Sequence, residues 1–166
     1  MNSLILGNAI SFIAAVFLCL SCVAKTKRSV AALQLTQCLF NVIAQIAFGK
    51  GSGAVSMSAA ATRNLLIATG HYGVIAMIII SLFTLVLGLY FNTAGLIGLM
   101  PVSVGIFYTV SLYFVKDVRT LKCSLAVLLF VWIVYSALIF DVFGTISNTL
   151  AQILNLITLS RLKKEK

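Results

Sequence analysis

Residues 41–64, NVIAQIAFGKGSGAVSMSAAATRN, line up without a gap with residues 132–155, WIVYSALIFDVFGTISNTLAQILN. The offset is 91, the difference between 144 and 53, and it sets Gly53 on Gly144, Ser56 on Ser147 and Asn64 on Asn155. The same offset pairs Gly7 with Gly98, Lys25 with Lys116 and Arg28 with Arg119. Apolar coincidences carry little weight in a chain that is 61% hydrophobic. Glycines, charges and asparagines recurring in one register carry more. An internal repeat in a membrane protein predicts a transporter plan, with the solute site between the two copies.

Composition fixes the class. Mean hydropathy is +1.14, and only 9% of the 166 residues are charged. A soluble domain of this size could not cover its surface with so few polar side chains. The apolar stretches approach the roughly 20 helical residues that cross a bilayer. The expected fold is therefore all-α, a polytopic membrane protein with seven spans: 4–24, 30–48, 54–69, 73–91, 93–115, 121–140 and 144–160. Repeat 1 covers about 4–70 and repeat 2 about 93–161, joined by a linker helix at about 73–91. Two directly joined three-span copies would point in opposite directions; the extra helix makes them parallel.

Charge supports this layout. Ten of the twelve basic residues fall on one side: Lys25, Lys27, Arg28, Lys116, Arg119, Lys122, Arg161, Lys163, Lys164 and Lys166. Lysine and arginine collect in cytoplasmic loops, which predicts a cytoplasmic C-terminus and an external N-terminus. The net charge of +9 then reflects orientation and contact with the lipid bilayer's anionic headgroups, not nucleic acid. No Lys or Arg precedes Lys25, so the first span reads as a retained helix and not a signal peptide.

Catalytic and metal chemistry find little support. The acids are Asp117, Asp141 and Glu165, all in predicted loops or the tail, with no acid–base pair and no carboxylate inside a span. The reading is of a non-enzyme without cofactor or metal, moving solute by facilitated diffusion. Cys19 and Cys22 have C-x-x-C spacing and read as buried, reduced thiols; Cys38 and Cys123, like them, lie within or at the edge of spans.

Polar stripes at helical spacing carry the functional reading. Gln34, Gln37, Asn41 and Gln45 share one face of span two, and Thr145, Asn148, Gln152 and Asn155 one face of span seven. Amides face lipid at a cost, so both stripes face the bundle interior. They either bridge neighbouring helices or line a hydrated pathway, and recurrence in several spans favours the pathway. Arg63, inside span three, either snorkels to the interface or lines the cavity and favours anionic or carbonyl-rich solutes. Trp132, the only tryptophan, is core packing or a flat wall for a sugar-like ligand; its repeat mate is Asn41. Lys50 and Asp141 are also mates, expected either as an outer-gate salt bridge or as two solvated loop charges. Pro101, among Gly95, Gly98 and Gly105 in span five, predicts a kink, serving as a hinge or as a static bend.

The three-one-three plan with asparagines at matched positions resembles the SWEET and SemiSWEET transporters and the wider PQ-loop group. The closer likeness is to the bacterial inner-membrane YgjV-like family. It is carried by K-T-K-R-S, K-D-V-R-T-L-K, the segment Asn41 to Gly53, the Arg63-Asn64 pair and the run Trp132 to Asn155. The resemblance implies a central site at Asn64, Asn155 and Trp132. Together these readings give a small-solute facilitator of the bacterial cytoplasmic membrane, working by alternating access between the repeats. The substrate-binding set is Asn64, Asn155, Trp132, Asn41, Arg63 and Gln152, for a small polar solute, sugar-like or a small organic anion. A monomer could hold the whole pathway; a homo-oligomer stays open. The alternative is a non-transporting assembly or regulatory protein that keeps the fold.

Overall fold

The computed structural model describes residues 2–24, 26–115 and 118–164. Lys25, Lys116, Asp117, Glu165 and Lys166, part of the basic-side and acid readings, lie outside the described residues. The described chain is all-helical: α1 Asn2–Val23, α2 Lys27–Ala47, α3 Gly51–Thr69, α4 Val74–Tyr90, α5 Leu96–Phe114, α6 Val118–Leu138 and α7 Val142–Lys164. Each expected span has its helix, with shifted ends: α3 begins three residues early, and α7 runs past residue 160.

Local chemistry explains the breaks. Thr26 caps α2, its hydroxyl accepting from the Ser29 N–H at 3.1 Å. After α2 the chain turns through Gly49 at φ +68°, where a missing Cβ makes left-handed backbone cheap. The Gly49 N–H bonds Ile46 O and the Lys50 N–H bonds Gln45 O, the paired bonds of a Schellman motif. After α6 the same bonds recur 91 residues on, Phe140 to Ala137 and Asp141 to Ser136. Here the left-handed residue is Phe140, at φ +60°.

Helices α1, α2, α3, α5, α6 and α7 pack in that order, and α7 closes on α1 to complete a ring. Helix α4 lies outside it against α3 and α5; among the described residues it touches no other helix. Five helices, α1, α2, α5, α6 and α7, are long and apolar enough to cross a membrane. Helix α4 is apolar but has 17 residues. Helix α3 is not among the five. Its sequence is rich in small and polar residues because it packs against three neighbours, α2, α4 and α5. Gly53 shows the constraint: a Cβ there would stand 2.6 Å from the Tyr135 hydroxyl and collide with Gln45 Oε1.

The outer faces are largely apolar. Phe12, Ile79, Phe130 and Leu150 are exposed, while polar side chains such as Gln34, Gln45, Asn64 and Ser136 are buried. That inversion of the soluble pattern is what a lipid surround selects.

Candidate solute cavity

The ring surrounds a cavity of about 60 Å³ whose wall is drawn from all six ring helices. Helix α2 presents its whole predicted stripe, Gln34, Gln37, Asn41 and Gln45. Helix α3 adds Ser56, Arg63 and Asn64, and α6 adds Trp132 and Ser136. A second cavity of about 100 Å³ continues toward the α1–α2 and α5–α6 turns, with Lys122 in its wall. Gln34, Asn64, Tyr108 and Leu125 line both. The first cavity has room for on the order of four waters, below the roughly 300–1,000 Å³ of an open ligand pocket.

Arg63 is buried, at 4% exposure, and does not snorkel. Its Nη1 donates to Thr109 Oγ1 at 3.1 Å, and its guanidinium carbon lies 4.9 Å from the centroid of the Tyr108 ring. Its Nε has no hydrogen-bond partner among the described residues. Thr109 is held in turn: its hydroxyl donates to Gly105 O and its carbonyl accepts from the Tyr72 hydroxyl at 2.6 Å. Asn64 Nδ2 reaches only the Cys38 sulfur, at 3.7 Å. Trp132 packs edge to face on Tyr135, ring centroids 5.3 Å apart.

The two matched asparagines have different surroundings. Asn64 lines the cavity, whereas Asn155 is absent from its wall and donates from Nδ2 to the Lys122 carbonyl at 2.9 Å. Its Oδ1 is buried without a partner. Gln152 is also absent from the cavity wall, with Oε1 buried and unpartnered. The expected α7 stripe is therefore split. Asn148 faces the cavity, while Thr145 turns its hydroxyl back to the Asp141 carbonyl.

Lys50 and Asp141 form no ion pair. Lys50 is half-buried at the start of α3. The Asp141 carboxylate is buried at 3% exposure and accepts from the Gly144 N–H at 2.8 Å and the Ser11 hydroxyl at 3.2 Å. Asn8 adds bonds from the Val142 N–H to its Oδ1 and from its Nδ2 to Phe140 O. These contacts fasten α1 to the start of α7. A carboxylate expected to sit in an exposed loop thus reaches the cavity wall. Burial pushes its pKa up, opposed by the Gly144 and Ser11 bonds. Pro101 is buried inside a continuous α5.

The cysteine reading is corrected in part. Cys22 and Cys38 are buried, Cys19 is half-buried and Cys123 is exposed, all as free thiols. Sequence reasoning missed Ser11 and Tyr108 as cavity residues. Ser11 gains its meaning from Asp141, and Tyr108 from Arg63, both distant in the chain.

A ring of apolar-coated helices around a polar interior defines a polytopic helical membrane protein. A family model described as a bacterial inner membrane protein, Imp-YgjV, matches residues 5–166. The chain belongs to that family. No curated protein and no solved structure matches it.

Proposed function

We propose that this protein is a small-solute facilitator of the inner membrane, using alternating access at the junction of two three-helix repeats. The observation that carries the reading is the polar cavity whose wall is drawn from all six ring helices. Chains in this membrane class place polar side chains inside only where they pair or meet water. Two atoms on cavity-lining side chains, Ser56 Oγ and Arg63 Nε, have no partner among the described residues, which leaves them for water or a solute.

The repeat reading draws support from the ring itself. Exchanging α1–α3 with α5–α7 maps the α3–α5 contact onto the α7–α1 contact, and the turn hydrogen bonds recur at the offset of 91. The plan is SWEET-like, with the N-terminus outside and the C-terminus in the cytoplasm as the basic loops direct. The narrow cavity is then one stage of a cycle in which the halves rock about the α1–α7 and α3–α5 seams, with Pro101 as a hinge. The Asp141 carboxylate is engaged in capping and fastening, so facilitated diffusion stays the simpler mechanism. No catalytic role is proposed.

The small cavity volume is the observation that favours a second reading, a non-transporting membrane partner. Stopped-flow re-swelling of proteoliposomes in hyperosmotic sugars, polyols and organic-anion salts separates the two. Faster re-swelling for at least one solute class than in empty liposomes supports the facilitator; identical rates for every solute support the partner.

A further inference from the structure

We propose that Arg63 is the binding site for a small monoanion carrying a carboxylate or similar oxyanion group; this rests on reading the central cavity as a solute site. Arg63 and Asp141 are the only buried charged side chains among the described residues. They are far apart. The α2–α3 and α6–α7 turns lie at the same end of the bundle, and Arg63 stands thirteen residues beyond Lys50, about 20 Å along a helix axis. Asp141 is therefore not the counter-ion of Arg63, and its oxygens already serve Gly144 and Ser11.

A guanidinium stays protonated at any pH the protein meets. It presents five N–H donors, of which one is occupied among the described residues, by Thr109. The Tyr108 ring lies against the guanidinium, and among the described residues Nε, which shares one edge of the plane with Nη2, has no partner. That edge is the fork that holds a carboxylate through two parallel hydrogen bonds. An unpaired buried cation is costly, and a single negative charge balances it. A dianion would leave one charge uncompensated. Lys122 lines the adjoining cavity and not the one that holds Arg63. Trp132 supplies an apolar wall for a short organic body.

The only tryptophan of the chain lines this cavity, so its fluorescence reports binding. The full chain in detergent is titrated with sodium lactate and with sodium methanesulfonate, which stays ionised throughout, at an ionic strength held with sulfate. Glucose is the uncharged comparison. Both monoanions are expected to give a saturable change and glucose none, with half-saturation at least tenfold higher in Arg63→Gln. Arg63→Lys, which keeps the charge but loses the fork, is expected to bind several-fold more weakly than the parent and serves alone where Arg63→Gln does not fold. Saturation by glucose but not by the anions would overturn the anion assignment and leave the facilitator standing. Equal anion affinity in the parent and the variants would overturn it as well. A flat response to all three probes would overturn the anion site, while re-swelling of proteoliposomes decides the facilitator separately. Anion binding lost in Arg63→Gln, with no solute re-swelling in proteoliposomes, would support the site and refute transport.

Discussion

Removing the Tyr135 hydroxyl tests whether the interior is wet where the cavity lies. Tyr135 has no exposed surface, and its hydroxyl donates to Gln45 Oε1 at 3.0 Å, joining α6 to α2. An orphaned buried acceptor costs about 1–3 kcal/mol, whereas interhelical bonds in membranes average about 0.6 kcal/mol. The surroundings decide between these figures. Gln45 lines the cavity, where a water can replace the lost donor; Tyr135 is not in the cavity wall. Tyr135→Phe should therefore cost about 1 kcal/mol, and Gln45→Met, which strands the tyrosine hydroxyl, about 2 kcal/mol. The double variant should cost about 1 kcal/mol, a coupling of about 2 kcal/mol. Reversible unfolding in mixed detergent micelles measures all four proteins. Additive single effects would refute the bond. A larger cost for Tyr135→Phe than for Gln45→Met would refute the wet cavity.

Other substitutions follow from the same geometry. Phe140 holds a left-handed φ of +60° while 75% exposed, so Phe140→Gly should stabilise by about 1 kcal/mol in the same unfolding assay; a loss of stability would show that its ring contributes more than the strain removes. Gly53→Ala drives a methyl group onto the Tyr135–Gln45 bond and should cost about 2 kcal/mol, with a neutral result contradicting the close approach of the Tyr135 and Gln45 side chains to α3. For Asp141, burial raises the carboxyl above its ordinary 3.8, against the Gly144 and Ser11 bonds. The folded protein then binds this proton more tightly than the unfolded chain. The group's contribution is full below pH 3.8 and is lost as pH rises through the raised value. The difference in Tm between Asp141→Asn and the parent should therefore shift in favour of the variant across that window; a shift in favour of the parent would reverse the assignment.

Sequence legibility varied with how local each feature is. The α2 stripe was readable because four amides at steps of three and four share a face whatever surrounds them, and all four line the cavity. The α7 stripe misled because the direction of Asn155 is set by the Lys122 carbonyl of α6, and no spacing within α7 encodes that contact. The charge at Asp141 looked solvated because Ser11, its partner, comes 130 residues earlier. Arg63 was ambiguous for a related reason. Snorkelling and burial differ only in whether Tyr108 and Thr109 stand beside it, and α5 is placed there by the ring closure.

The measurement that tests the central claim most directly needs no substrate. Asn41→Cys is placed in a chain whose four native cysteines are replaced, with Leu39→Cys, on the exposed face of α2 at 54% exposure, as the lipid-facing control. A membrane-impermeant methanethiosulfonate is applied to right-side-out and to inside-out vesicles. Alternating access predicts modification of the cavity cysteine from both sides and of the control from neither. Modification of Asn41→Cys from one side only, or from neither, would contradict it.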